Sequence, residues 1–162
     1  MTRVFFDMDG VLAEYKDVPY EELLRPGYFS ELAPQTEAVQ ALERLALDPR
    51  FEVYTLSAVI EENRTALEEK KQWLSRQLSS ECRSRVHSQF LFCGQSKAAS
   101  VPGGIRPSDI LIDDYNANLR DWSRHAVAIK LLNGINHRHR SWQGRTAPLD
   151  AAQIVAAVEA AM

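Results

Sequence analysis

The sequence predicts an α/β fold, a three-layer α/β/α arrangement around a parallel sheet of five strands. Two observations predict it. Short, largely apolar runs recur at 4–6, 51–56, 89–93, 110–112 and 126–131, the pattern of strands buried on both faces. Stretches of helical period separate most of them, which suits crossovers between parallel strands. With 162 residues, the chain is long enough for a sizeable core and short enough for one domain. No repeat, low-complexity segment or linker divides it, so residues 1–162 read as a single domain with a small cap insertion at about 14–34.

In chain order, Val4-Phe5-Phe6 is the first strand and stops abruptly at Asp7-Met8-Asp9-Gly10. Residues 13–34 hold three of the seven prolines and no sustained period, with one helical turn expected around 20–24. Their Tyr20, Tyr28 and Phe29 suit either a small satellite core or a wall over a site. Residues 35–47 set Val39, Leu42, Leu45 and Ala46 at helical spacing and end near Asp48-Pro49. The second strand stops at Ser57-Ala58. Over 59–79, Ile60, Leu67, Leu74 and Leu78 form one stripe, and the Glu and Lys run at 61–71 reads as a solvated helix face. The third strand, 89–93, precedes a Gly94-Gln95-Ser96-Lys97 turn. The fourth, 110–112, ends in Asp113-Asp114, with a short helix expected over 116–123. After the fifth strand comes a basic loop, 133–145. Asp150 with Gln153 forms a cap for the last helix, across which Leu149 meets Ile154.

Composition narrows the function. A net charge of −3 argues against a duplex nucleic-acid surface and leaves a single nucleotide open as ligand. Cys82 and Cys93 are too few for a disulfide framework and read as reduced thiols. The apolar start is too short for a signal peptide, and no apolar run is long enough to span a bilayer. The expectation is a cytoplasmic protein with no membrane partner. Its oligomeric state, a homodimer included, is open.

The chemistry starts from two carboxylates, Asp7 and Asp9, at the mouth of a buried strand. Like charges so placed need a partner, and oxygen-only ligands favour Mg2+. In parallel sheets, ligands gather at the carboxyl ends of the strands. Here four such ends carry Asp7 with Asp9, Ser57, Lys97, and Asp113 with Asp114. Asp114 is alternatively a cap for the helix from 116 onward, and Thr55 shares the face of Ser57. Lys97 follows a strand and a glycine turn, whereas Lys70 and Lys71 lie in the glutamate-rich run and Lys130 follows the acidic pair.

The order and content of these motifs resemble the haloacid-dehalogenase-like (HAD) phosphohydrolases: an apolar strand with DxD, a Ser or Thr, a Lys and an acidic pair. The resemblance implies a Rossmann-like HAD fold and hydrolysis of phosphomonoesters through an aspartyl-phosphate. It makes Asp7 the nucleophile and Asp9 the general acid/base, with its backbone carbonyl on Mg2+. Asp113 and Asp114 join Asp7 and Asp9 as the metal set, and Ser57 and Lys97 bind phosphoryl oxygens.

The segment Arg25-Pro26-Gly27-Tyr28-Phe29-Ser30-Glu31-Leu32-Ala33-Pro34 resembles the PGFF-x-x-L-x-P cap of the 5'(3')-deoxyribonucleotidases, the cytosolic C-type 5'-nucleotidase family. That implies a (deoxy)nucleoside monophosphate as partner, with Tyr28 and Phe29 lining the nucleoside pocket. The cap is shorter than in mammalian members, and YTLSA stands where they have a Thr-Ser-Pro-type sequence. The tail from Ile129 to Asn136, with Trp142, is similar to a bacterial and phage branch. There His137, Arg138, His139 and Arg140 read as a site for a second anionic group or as a solvated loop. The competing functions are a sugar-phosphate or other small phosphomonoester phosphatase, and a catalytically idle HAD-fold binding protein.

Overall fold

Val4, Phe5 and Phe6 are wholly excluded from water in the middle of a six-stranded parallel sheet. This computed structural model of the chain describes residues 1–135 and 141–162. The strands are β1 (Thr2–Phe6), β2 (Phe51–Val59), β3 (His87–Phe92), β4 (Ile110–Asp113), β5 (Val127–Leu132) and β6 (Arg145–Pro148), in the order β3-β2-β1-β4-β5-β6. The helices are α1 (Tyr20–Leu23), α2 (Thr36–Leu47), α3 (Ala66–Gln77), α4 (Ser80–Arg83), α5 (Asn116–Trp122) and α6 (Ala151–Glu159).

Alternation along β1 sends side chains into two cores. Val4 and Phe6 join residues of α2, α3 and α6, including Leu42, Trp73 and Ile154. Phe5 points the other way, stacking on Tyr54 at 4.7 Å and meeting Trp122 of α5 edge-on at 5.1 Å. Burying each such large apolar side chain contributes roughly 1.5–3 kcal/mol. Asp150 caps α6 as expected, its side chain accepting from Gln153 N at 2.9 Å.

The strand order places the site. From β1 the chain builds outward through β2 and β3, then returns to β1's other side with β4. The crevice between β1 and β4 is the reversal point where parallel sheets bind ligands. Phe6 is in register with Ile112, and Asp7 N donates to Ile112 O at 2.9 Å. The ends carrying Asp7 and Asp113 are therefore neighbours. At the opposite end, Arg3 donates to both oxygens of Asp109 and to the carbonyls of Pro102 and Gly104, at 2.6–2.9 Å. That buried pair ties the loop before β4 to β1. Breaking such a pair typically costs about 3–5 kcal/mol.

Three expectations are corrected. The sheet has a sixth strand, Arg145–Pro148, where the sequence suggested the end of a loop. It is a short edge strand with only Ala147 buried and a proline at its end, so it shows little apolar signature. Strand β2 runs on to Val59, leaving Ser57 inside it, and α3 starts only at Ala66. The charged run is not wholly solvated: Glu69 and Lys70 are buried on α3 alongside Ala66, Trp73 and Leu74. His137, Arg138, His139 and Arg140 lie outside the described residues.

The insertion at 14–34 is closed at its base and held to α3. Glu14 N donates to Ala33 O at 2.9 Å, and Gln35 N to Leu12 O at 2.7 Å. From α3, Trp73 Nε1 donates to Leu32 O at 2.7 Å. Glu69 accepts from Gly27 N at 2.6 Å and Phe29 N at 3.0 Å.

Candidate active site

The sequence-selected polar residues fall into two neighbouring groups, Asp7, Lys97, Asp113 and Asp114 in one and Asp9 with Ser57, joined through Lys70, in the other. Asp7, the first residue after β1, is buried, and its Oδ1 lies 2.7 Å from Lys97 Nζ. The same ammonium lies 2.7 Å from Asp113 Oδ2. Asp113 is further fixed by Tyr115 N and Asn118 Nδ2, at 2.8 and 2.9 Å. The N-cap position of α5 is Tyr115, not Asp114, and the Tyr115 N–H donates to Asp113. Asp114 instead folds back over Gly10, and Asn133 Nδ2 donates both to its Oδ2 at 3.0 Å and to Gly10 O at 2.9 Å. Gly10 has φ +82° and stands where a Cβ would lie 2.3 Å from Asp114 Oδ2. The turn therefore needs glycine both for its backbone and for space.

One oxygen each from Asp7, Asp113 and Asp114 come within 4.8 Å of one another. An all-carboxylate donor set suits a hard divalent cation. The carboxylate of Asp9 lies outside this group and pairs with Lys70.

Electrostatics follow from crowding. Burial is the largest influence on Asp7, pushing its pKa up to about 7; Lys97 opposes this, and Asp113 and Asp9 add to it. One ammonium shared by two buried carboxylates cannot neutralise both. Burial also disfavours charge on Lys97, but Asp113 and Asp7 outweigh it and hold its pKa above the ordinary value. Burial lowers the pKa of Lys130, whose Nζ donates to Asn116 Oδ1 at 2.6 Å.

Lys70, set aside in the sequence as part of the glutamate-rich run, is buried at the site. Its fully buried Nζ donates to Asp9 Oδ2, to Ser57 Oγ at 3.0 Å and to Ala58 O at 2.6 Å, and sits 4.6 Å from the centre of the Phe29 ring. A signal was present, because Lys70 lies four residues after Ala66 and three before Trp73, on the buried stripe. Thr55 is also buried, and its Oγ1 has no partner among the described residues.

Beside Asp9 and Lys70 opens a pocket of about 200 Å³, walled by Leu23, Tyr28, Phe29, Leu32, Ala58 and Ile60. Of the aromatic residues expected to form a satellite core or a wall, Tyr20 is exposed, whereas Tyr28 and Phe29 wall the pocket and join the main core rather than a satellite one. These two are buried and packed edge-to-face at 5.0 Å.

A parallel sheet with an acidic turn after its first strand and an acidic pair after its fourth defines the protein as a HAD-like phosphohydrolase. The chain belongs to the family described as 5' nucleotidase, deoxy (pyrimidine), cytosolic type C protein, which matches residues 14–159, beginning just after the Asp7–Asp9 turn. It is accordingly a phosphoric monoester hydrolase. No curated protein matches it. Among solved structures, it is similar to a D,D-heptose 1,7-bisphosphate phosphatase from Burkholderia thailandensis, at 15% identity and TM-score 0.68, over 96% of this chain and 97% of that one. A chain of the Pnkp1/Rnl/Hen1 RNA repair complex matches at 14% identity and TM-score 0.51, over 80% of this chain and 42% of that one. Both likenesses concern the fold. No helix among the described residues is long and apolar enough to cross a membrane.

Proposed function

We propose that this protein is a Mg2+-dependent 5'-nucleotidase that hydrolyses (deoxy)nucleoside monophosphates through an aspartyl-phosphate on Asp7. The observation that carries the reading is a largely apolar, aromatic-walled pocket that opens at Asp9, two residues from the Asp7 of the Asp7–Lys97–Asp113 cluster. The cluster suits a phosphoryl group and the pocket a flat, weakly polar leaving group.

Asp7, Asp113 and Asp114 would hold Mg2+, with the backbone carbonyl of Asp9; the ion would offset phosphate charge that otherwise repels Asp7. A carboxylate oxygen of Asp7 attacks phosphorus as the ester P–O bond breaks, and Asp9 gives its proton to the leaving alkoxide. Water then attacks phosphorus, the Asp7–phosphorus bond breaks, and Asp9 recovers a proton from that water. The net change is ester plus water to alcohol plus phosphate. Lys97 and Ser57 face the phosphoryl oxygens, Lys97 countering charge beside Asp7. Tyr28 and Phe29 pack against the base, a class of contact worth roughly 1–3 kcal/mol.

The family's cytosolic description and the two free thiols, Cys82 and Cys93, support a cytoplasmic setting. The test is phosphate release, with Mg2+ and with EDTA, from nucleoside monophosphates and sugar phosphates. Metal-dependent preference for nucleotides is expected. Preference for sugar phosphates would overturn the substrate assignment, and no turnover of any ester would overturn the enzyme.

A further inference from the structure

We infer that Lys70 is a positioning residue for the proton-transfer step, holding the Asp9 carboxylate in one orientation beside the pocket that takes the leaving group. The inference rests on the proposed phosphohydrolase reading and adds a residue to it.

The ammonium of Lys70 has three protons and three acceptors in place: Asp9 Oδ2, Ser57 Oγ and Ala58 O. Its side chain is 1% exposed, and Phe29 covers it from the cap side. A lysine with every donor engaged and an aromatic ring above it is a fixed anchor rather than a mobile ligand-seeking arm. Asp9 is consequently held by one oxygen. Its other oxygen, Oδ1, is buried and has no partner among the described residues, although Asp9 lines the pocket. A buried carboxylate oxygen left unpaired calls for a proton or a ligand donor. Lys70 thus sets how the Asp9 carboxylate is presented at the pocket, the orientation the proposed proton transfer needs.

Helix α3 supplies this anchor together with the cap clamp. Glu69 grips the backbone N–H groups of Gly27 and Phe29, while the next residue, Lys70, grips Asp9 from beneath the same Phe29. A well-placed cap and a well-placed acid are thus set by adjacent residues of one rigid element.

The experiment compares wild type and Lys70→Met in the first turnover, following release of nucleoside from a nucleoside monophosphate and of 4-nitrophenol from 4-nitrophenyl phosphate. An alkoxide must be protonated to leave, whereas 4-nitrophenolate leaves without a proton. The first turnover isolates this step from the later attack of water. General acid catalysis contributes about 10²–10⁴-fold. Misplacing the acid should slow nucleoside release by at least about tenfold more than 4-nitrophenol release. Equal loss on both esters would overturn the role of Lys70 while leaving the enzyme reading intact; inactivity of wild type on both would overturn the enzyme reading instead. Where Lys70→Met does not fold, wild type is read by NMR of its lysine ammonium protons. A slowly exchanging Lys70 signal with contacts to Phe29 supports the anchor, and a fast-exchanging, unprotected ammonium overturns it.

Discussion

Lys97 Nζ stands 2.7 Å from Asp7 Oδ1 and 2.7 Å from Asp113 Oδ2, so one buried cation serves both the proposed nucleophile and the proposed metal ligand. Removing it as Lys97→Met leaves two facing buried carboxylates uncompensated. Loss of one partner from a buried ion pair costs about 3–5 kcal/mol. Urea unfolding should show a loss of this size without metal and a partial recovery with Mg2+, while turnover falls by about a hundredfold or more.

Asp7 makes stability depend on pH. Its pKa rises from 3.8 when exposed to about 7 when folded, chiefly through burial. The folded protein thus keeps a proton that the unfolded chain has already released. Across that interval the unfolded state binds fewer protons, so this group's contribution to stability falls as pH rises. In the proposed site Mg2+ would take the proton's place. Melting temperatures should show a larger gain from Mg2+ at about pH 8 than at about pH 5, and equal gains would contradict the assignment of Asp7 to the metal.

Gly10→Ala should be costly out of proportion to its one added carbon. The residue has φ +82°, and the new Cβ would lie 2.3 Å from Asp114 Oδ2. Strained backbone of this kind costs about 1–3 kcal/mol. Displacement of Asp114 should also blunt the thermal shift produced by Mg2+, measured on the same sample.

Glu69→Ala deprives Gly27 N and Phe29 N of their acceptor. Leaving such groups unpaired costs about 1–3 kcal/mol. Hydrogen exchange should quicken in residues 27–31, and KM for nucleotides should rise more than kcat falls. Unchanged exchange there would show that the clamp does not hold the cap.

Much of the fold and site was legible because the sequence changes character abruptly where it matters. At Phe6–Asp7 and at Ile112–Asp113 an apolar strand meets acid without transition, and the structure sets these two ends side by side. Asp150 announced α6 by local rules alone. Lys70 was hidden for a different reason. A lysine among glutamates on a helix is normally solvated, and its burial depends on where the cap lays Phe29, a long-range fact. Ser57 looked like a strand terminus, but pairing with β3 carries β2 two residues further. The sixth strand escaped because an edge strand needs only one buried side chain, here Ala147.

The central claim is that Asp7 carries the phosphoryl group. Enzyme quenched during turnover of a nucleoside monophosphate is reduced with borohydride, which converts an aspartyl-phosphate to homoserine, and its peptides are read by mass spectrometry. Conversion at Asp7, dependent on substrate and Mg2+ and absent at Asp9, Asp113 and Asp114, is predicted. Full turnover by an Asp7→Ala variant, with no reduced residue at position 7, would contradict it.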